Sequence, residues 1–332
     1  AANRPATIAE VHSLQTYART ATPFNFNGLV RHYYVRTSPE LGDIQVNLSG
    51  KAERNRSSHE IALDLREKLK GLDMPAGTVV KTVEPPPGPP VLATLLAEIY
   101  GPTPEIRRAT AAKVREAFAL VPFVVDIDDS FGVQAPRVRI AIDQDNLEYQ
   151  KVEERDVYDT LQSLYARNTV GYSHRGGGRQ PIPITLGLAR SDKVVGERAL
   201  STPVPANALP GDRGVVELGD VVSVSRELSS FPVFRHNGKP AEMVTAELAG
   251  SFEAPVYGMI EVGRALDKVD WTGLQRPEIS LHGQPEDESK SVLLWDGEWE
   301  VTWVTFRDMG AAFMVALLGI YILVVAQFGS FK

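Results

Sequence analysis

The sequence predicts an α+β protein that ends in one transmembrane helix. Helical and strand-like patterns alternate twice along the chain, which is typical of α/β sandwiches. Between Tyr172 and Leu228 the pattern changes, because Gly, Pro and Ser separate short strand-like runs and helical periodicity is lost. From Met309 to Phe331 no side chain is charged. We therefore predict two sandwiches, the second interrupted by a β-rich insertion, followed by a membrane helix.

The first predicted unit covers residues 1–84. An apolar stripe at helical spacing predicts a helix at its start, formed by Ile8, Val11, Leu14, Tyr17 and Ala18. Three strands are expected in one sheet, at Leu29–Arg36, Asp43–Leu48 and Gly77–Val83. Ser57 and Glu60 form a capping box that begins a helix reaching Leu72, which is expected on the face of that sheet. This order is that of a split βαβ (ferredoxin-like) sandwich without its first strand, which would precede Ala1.

A proline-rich linker at 85–90, which must be extended, precedes the second predicted unit. This unit covers 91–171 and resumes at 231–283. Thr103 and Pro104 are a favourable N-cap and first position for a helix that continues to Val121. A short helix is expected to end near Tyr165. The other elements of this unit are predicted at Val91–Tyr100, Val124–Ile127, Val138–Ile142, Glu242–Leu248 and, as a helix, near Ala254–Val269.

The insertion is predicted at 172–230, with strand-like runs at Ile182–Leu188 and Val215–Val224. A connector, 284–308, then leads to the transmembrane helix at 309–331. About 23 uncharged residues at 1.5 Å each reach roughly 35 Å, enough to cross a hydrocarbon layer of about 30 Å. Aromatic residues flank the run, as they do at membrane interfaces. A buried helix of a soluble core is the alternative, but such helices rarely lack charge over this length.

Composition limits the classes of function. The 332 residues are 43% hydrophobic and 23% charged, as in folded globular proteins, and are enough for two or three domains. The net charge is -7 without a basic stripe, so nucleic acid is not an expected partner. The absence of cysteine excludes disulfides, thiol catalysis and zinc–thiolate sites. The sequence starts at Ala1 and shows neither an initiator Met nor a targeting segment at its N-terminus. We therefore expect it to begin within a longer polypeptide.

Long motifs in this chain resemble one family of transporters. The motifs are TPFNFNGLVRHYYVR at Thr22–Arg36, DIQVNLSGKAERNRSSHEIALDLREKL at Asp43–Leu69, VEPPPGPPVLATLLAEIYGP at Val83–Pro102 and FRDMGAAFMVALLGIYILVVAQFGSF at Phe306–Phe331. They resemble the second large periplasmic region of resistance-nodulation-division (RND) efflux pumps of the acriflavine-resistance (hydrophobe/amphiphile efflux) type, over essentially the whole chain. The resemblance implies two porter subdomains, a docking subdomain inserted in the second, and the transmembrane helix that follows.

The resemblance also implies a function and a location. It implies the periplasmic porter and docking part of a proton-driven multidrug antiporter in the bacterial inner membrane, with most of this chain in the periplasm. The implied partners are hydrophobic or amphiphilic small molecules, two further copies in a homotrimer, a periplasmic adaptor protein, an outer-membrane channel and membrane lipid. Proton coupling is expected outside this fragment, because its membrane run is uncharged. The positive-inside tendency places Lys332 on the cytoplasmic side and Gln284–Glu300 outside.

The loop formed by Phe24, Asn25, Phe26 and Asn27 is the predicted substrate-binding site. The resemblance implies that the phenylalanines of this loop border the drug-binding pocket of the porter. Mobile aromatic rings suit that task, since they offer large apolar contacts without demanding fixed hydrogen-bond geometry. The alternative is that both rings pack inside the first sandwich.

No catalytic residue, cofactor or metal site is predicted, and an enzyme is not expected. The histidines show no pair at metal-ligand spacing; they are His12, His32, His59, His174, His236 and His282. The methionines, which the heavy-metal branch of these pumps uses, form no cluster; they are Met74, Met243, Met259, Met309 and Met314. Gly176–Gly178 opens no helix, which favours a hairpin or linker over a phosphate loop. The chain contains no nucleophile elbow.

Two other functions are considered. One is a membrane-anchored periplasmic accessory of a protein-translocation system, which also carries βαβ domains beside transmembrane helices. An aromatic substrate pocket and a β-rich docking insertion would favour efflux over translocation. The other is a self-contained periplasmic binding module with a tail anchor. That module would need a complete first sandwich, whereas this chain is expected to begin after its first strand.

Overall fold

The computed structural model describes residues 8–20, 22, 40–75, 77–84, 91–209, 212–250 and 254–331. The chain divides into two compact units, one of Ala1–Val133 with Phe231–Lys332 and one of Gln134–Ser230. In chain order the helices and strands are β1 (Val11–Ala18), β2 (Gly42–Leu48), α1 (Ser58–Lys70), β3 (Leu95–Tyr100), α2 (Pro104–Ala119), β4 (Val124–Asp129), β5 (Pro136–Ile142), α3 (Gln144–Gln150), α4 (Glu154–Tyr165), β6 (Asn168–Ser173), β7 (Ile182–Leu186), α5 (Glu197–Leu200), β8 (Pro203–Leu209), β9 (Asp212–Glu217), α6 (Leu218–Val221), β10 (Val222–Leu228), β11 (Arg235–His236), β12 (Lys239–Pro240), β13 (Glu242–Leu248), α7 (Pro255–Leu266), β14 (Glu278–Ser280), β15 (Val292–Gly297) and α8 (Glu298–Phe328).

The core of the first unit is a five-stranded sheet in the order β14-β15-β3-β13-β4. β3 runs antiparallel to both β13 and β15, while β14 is parallel to β15. All six residues of β3 are buried. Helices α2 and α7 contribute Val114, Phe118, Val262 and Leu266 to the core, and the ring of Phe118 stacks on Trp295 with centroids 5.9 Å apart.

Local signals in the sequence set the start of two helices. The Thr103 hydroxyl accepts a hydrogen bond from the Ile106 amide at 3.3 Å, and Pro104 opens α2, as predicted. The capping box before α1 is also confirmed, because the Ser57 amide donates to Glu60 at 2.6 Å and the Glu60 amide donates to the Ser57 hydroxyl at 3.1 Å. Each helix therefore begins where the side chain of its N-cap residue accepts a hydrogen bond from a free backbone amide of the first turn.

The predicted N-terminal helix is wrong, because residues 11–18 form strand β1. β1 pairs antiparallel with β2, from Val11 opposite Leu48 to Ala18 opposite Gly42. The apolar residues that suggested a helical stripe lie on both faces of this strand, and Leu14 is 60% exposed. Pairing with β2 satisfies the backbone groups, and this tertiary effect outweighs a short stripe of helical spacing.

The strand predicted at Gly77–Val83 is also absent from the described structure, which is irregular over 77–84. The carbonyl of Thr82 accepts a hydrogen bond from the Arg66 guanidinium at 2.7 Å, so that acceptor is occupied by a side chain and not by a neighbouring strand. Lys81 pairs with Asp128 at 2.5 Å. The predicted strand Leu29–Arg36 and the linker 85–90 lie outside the described residues.

Strand β15 is a buried element that the sequence analysis missed. It lies beside β3, with Leu293 opposite Ile99, inside the stretch that was predicted as a connector. A strand that is buried on both faces has no polar alternation, so its short apolar run gives no period-two signal. The strand Glu242–Leu248 is found as predicted, and the helix predicted near Ala254–Val269 is α7.

The second compact unit consists of three antiparallel strand pairs, β5–β10, β6–β7 and β8–β9, together with α3 to α6. Its core contains Leu147, Val157, Val204, Leu218 and Val221. The unit starts at Gln134, earlier than the predicted insertion boundary at 172, because β5 pairs with β10 and not with the sheet of the first unit. The run predicted as one strand at Val215–Val224 contains the end of β9, all of α6 and the start of β10.

Helix α8 follows β15 directly. It has 31 residues, so it is about 46 Å long at 1.5 Å per residue. None of its residues is buried in the described structure. By length and composition α8 could cross a membrane, and it is the one such helix among the described residues. Its exposed apolar side chains, such as Val315 and Leu323 at 71% each, need a lipid or protein environment.

Candidate functional site

The predicted substrate loop of Phe24, Asn25, Phe26 and Asn27 lies outside the described residues. Its role therefore stays a prediction. The described residues instead bring together a buried polar cluster that linear spacing did not indicate. We call it the Glu98 cluster, and define it as Glu98, His236 and Asp296 with the neighbouring Tyr100 and Gln284.

The strand register places the two carboxylates of the Glu98 cluster together. Glu98 lies in the middle of β3, directly opposite Leu294 of β15. Asp296 lies two residues further along β15, so it is on the same face of the sheet as Leu294 and is the diagonal neighbour of Glu98.

A tight hairpin presents the histidine of the cluster. β11 and β12 are joined by Asn237 and Gly238, whose φ angles are 46° and 84°. Positive φ at both central residues is the type I′ arrangement, for which Asn-Gly is the preferred sequence. The turn places His236 opposite Lys239 and directs its imidazole to the sheet, where Nδ1 contacts Oε1 of Glu98. The same Nδ1 lies 3.7 Å from Oδ2 of Asp296.

Hydrogen bonds from Tyr100 and Gln284 hold the cluster in place. The Tyr100 hydroxyl donates to Oε2 of Glu98 at 2.5 Å. The Gln284 amide donates to the Tyr100 hydroxyl oxygen at 2.9 Å and to the carbonyl of His236 at 2.8 Å. The side chain of Glu98 is 1% exposed, whereas those of His236 and Asp296 are 29% and 15% exposed. Solvent therefore reaches the cluster from the histidine side.

The electrostatics of the cluster follow from burial. Burial raises the pKa of Glu98 to about 7, with a further increase from the Asp296 carboxylate, while the Tyr100 hydroxyl and His236 oppose it. Burial, together with the neighbouring Glu98, also raises the pKa of Tyr100 above its usual range. Among the described residues, the imidazole of His236 is the basic group that pairs with either carboxylate. The cluster can therefore hold a proton or a cation.

A second polar feature is a cavity of about 160 Å³ between the segment 77–84 and the sheet. Its lining includes Lys81, Asp126, Ser130 and Glu247. Arg66 pairs with Asp126 at 3.0 Å, and both side chains are largely buried. Pockets for drug-sized ligands have volumes of roughly 300–1,000 Å³, so this cavity is too small for such a ligand.

Comparison with known proteins identifies the fold. No family model matches the chain, and no curated protein sequence matches it. Among solved structures, crystal form II of a heavy metal efflux pump matches with a TM-score of 0.66 at 14% identity, covering 96% of this chain and 34% of that one. Crystal form I gives a TM-score of 0.64 at 14% identity, covering 94% and 33%. This chain thus has the fold of about a third of those pump chains.

Proposed function

We propose that this chain is the periplasmic porter and docking part of an efflux transporter of the RND type. The observation that carries the proposal is the fold shared with a heavy metal efflux pump over 96% of this chain. Helix α8 supports it, since an exposed apolar helix of membrane length continues directly from a core strand. The proposed location is the bacterial inner membrane, with α8 in the membrane and the part of the chain before it in the periplasm.

The proposed porter and docking subdomains follow from chain order. The elements β3, α2, β4, β13, α7 and β15 occur in this chain order, with β5 to β12 between β4 and β13 and with β14 between α7 and β15. Their strands are ordered β15-β3-β13-β4 in the sheet. This order supports a ferredoxin-like split βαβ sandwich as the second porter subdomain. The compact unit Gln134–Ser230 enters the chain between β4 and β13, and we assign it to docking. The proposed partners are two further copies in a homotrimer, a periplasmic adaptor and an outer-membrane channel.

Hydrophobic or amphiphilic compounds are the proposed cargo. This part of the proposal rests on the motifs of the acriflavine-resistance type and on the loop with Phe24 and Phe26. Heavy metal ions are the second candidate, because the matching solved structures are described as a heavy metal efflux pump. Transport is proposed to be driven by protons through residues outside this chain.

Drug susceptibility tests the function and its cargo together. The complete transporter that contains this chain is expressed in a bacterial strain without its own efflux pumps, and a panel of hydrophobic compounds and metal salts is applied. We expect raised resistance to several hydrophobic compounds. The double variant Phe24→Ala with Phe26→Ala should lose resistance unevenly across compounds, because a broad apolar pocket loses different contact areas with different ligands.

The controls separate transport from folding. If the two rings border a pocket, the protein level and thermal stability of the double variant should match those of the wild type. If the rings are fully buried instead, each Phe→Ala change would cost roughly 3–5 kcal/mol of stability. Resistance to metal salts alone would support the second cargo. An unchanged panel for a wild-type transporter that is present in the membrane would contradict the proposed function, and an unstable double variant would support the packed alternative for the two rings.

A further inference from the structure

We propose that Glu98, His236 and Asp296 form a binding site for a resident divalent metal ion of the zinc type. The inference rests on the geometry of these side chains and not on the proposed transport function. It also departs from the sequence-based expectation, which considered only spacing along the chain.

The donor atoms are close enough to share one ion. One ligand atom from each of the three side chains lies within 4.8 Å of the other two. Zinc binds imidazole nitrogen and carboxylate oxygen at about 2.0–2.2 Å, so two ligands of one tetrahedral ion are roughly 3.3–3.6 Å apart. Small rotations of the side chains therefore bring all three atoms to bonding distance, and water completes a tetrahedral set.

The chemistry of the donors selects the class of metal. An imidazole nitrogen with two carboxylate oxygens suits zinc and its transition-metal neighbours. Calcium requires six to eight oxygen ligands and magnesium a near-octahedral oxygen set, which three side chains including an imidazole do not provide. The chain has no cysteine that could compete as a softer ligand.

The surroundings of the three ligands match those of a metal site. The Tyr100 hydroxyl binds Oε2 of Glu98, which leaves Oε1 directed at His236. Gln284 holds both the Tyr100 hydroxyl and the backbone carbonyl of His236. Such outer hydrogen bonds orient metal ligands and fix their rotamers.

Charge balance is the independent reason for a cation. Two carboxylates, Glu98 and Asp296, face a single imidazole, and Glu300 adds a further carboxyl group in the first turn of α8. In the described part of the chain, no Lys or Arg forms an ion pair with Glu98 or Asp296. Buried like charges are unfavourable unless a cation or protons neutralise them.

The position of the site gives the ion a structural role. Glu98 belongs to the central strand of the core sheet, His236 to the β11–β12 hairpin, and Asp296 lies two residues before α8 begins. A bound ion would therefore connect the hairpin, the sheet and the start of α8.

Zinc binding by the purified full-length protein without a histidine tag tests the inference. The wild type is dialysed against zinc, and bound metal is counted by mass spectrometry and titrated by calorimetry. His236→Asn and Asp296→Asn should each bind one zinc fewer per chain, with affinity lowered at least ~100-fold. His174→Asn is the matched control, because His174 is exposed in the turn after β6, and it should bind as the wild type does.

A conservative variant covers the case in which the ligand variants do not fold. Tyr100→Phe keeps the ring and its packing but removes the hydroxyl that orients Glu98, and it should weaken zinc affinity ~10- to 100-fold. Chelation should also lower the melting temperature of the wild type more than that of Tyr100→Phe. Equal zinc stoichiometry and affinity in the wild type, His236→Asn and Tyr100→Phe would overturn the proposal and leave a hydrogen-bonded proton network. Failure of the transport proposal would not affect this outcome.

Discussion

Glu98 is the one carboxylate in a strand whose other side chains are five apolar or aromatic groups, and it is 1% exposed. A charged side chain in such a place is stable only with good partners. Tyr100 and His236 provide them, and Gln284 fixes both partners. The same arrangement makes Glu98 sensitive to each neighbour, because removing one partner of a buried charge costs more than an exposed pair would contribute.

Glu242 offers a test of buried charge away from the Glu98 cluster. Its carboxylate accepts a hydrogen bond from Ser130 at 2.6 Å and lies 3.7 Å from Arg108. Burial raises the pKa of Glu242, against the opposing effects of Ser130 and Arg108. A raised pKa in the folded state stabilises the protein below the pKa of the unfolded state, and that stability is lost as pH rises through the folded value.

The Glu242→Gln variant should therefore show a pH-dependent change in stability. The difference in melting temperature between the variant and the wild type should favour the variant more at pH 8 than at pH 4. The reason is that the wild type buries a charged Glu242 only at high pH. Thermal unfolding of the purified protein at both pH values measures this. A Glu242→Gln difference that is constant with pH would contradict the prediction.

Residue-level signals could indicate part of the Glu98 cluster from sequence. The Asn237-Gly238 pair is a hairpin signal, and a lone glutamate in an apolar strand is a candidate for a special role. The contact itself could not be predicted. His236 lies 138 positions after Glu98, and the two meet because the hairpin that carries His236 leads directly into β13, which pairs with β3. Three-dimensional proximity of this kind leaves no trace in linear spacing.

At the scale of elements, the predictions that depend only on neighbouring residues are the ones that the structure confirms. The Ser57 capping box and the Thr103–Pro104 start are found as predicted, because each depends on residues within one turn. β1 was predicted wrongly because its conformation depends on pairing with β2, and β15 was missed because burial on both faces removes alternation. The strand predicted at Gly77–Val83 is replaced by an irregular segment bound by Arg66 and Asp128.

Helix α7 provides a matched pair of glycine substitutions. A Cβ on Gly258 would lie 2.6 Å from the Cδ1 atom of Leu95 and 3.0 Å from Leu248, whereas a Cβ on Gly263 would meet nothing within 4 Å. Leu95 is buried in the core, so its side chain can move aside only by disturbing close-packed neighbours. Gly258→Ala should thus destabilise the fold by about 1–3 kcal/mol through overpacking. Gly263→Ala should stabilise it by up to about 1 kcal/mol through helix propensity.

Thermal or denaturant unfolding of the two glycine variants measures these effects side by side. Both substitutions add one methyl group to the same helix, so a difference in sign isolates the packing of α7 against β3. Equal effects of the two changes would mean that α7 does not pack on the sheet as closely as described.

At the scale of the whole molecule, the chain combines two compact units with one apolar helix. The α+β class and the C-terminal helix were predictable from periodicity and from the uncharged run. The start of the second unit at Gln134 was not predictable. The apolar–polar alternation of β5 fits a strand in either unit, and only its pairing with β10 assigns it to the second. The fold matches that of a heavy metal efflux pump at 14% identity, so the two chains share a fold while having little sequence in common.

Membrane topology tests the central claim that these units are the periplasmic part of a membrane transporter anchored by α8. Ser289→Cys and Ser330→Cys place single thiols before and after α8 in a chain that has no cysteine of its own. In the complete transporter, with any cysteine outside this chain replaced by serine, a membrane-impermeant maleimide applied to intact spheroplasts should label Ser289→Cys, and should label Ser330→Cys only after the membrane is opened. Labelling of Ser330→Cys but not Ser289→Cys in intact spheroplasts, or equal labelling of both, would contradict the account.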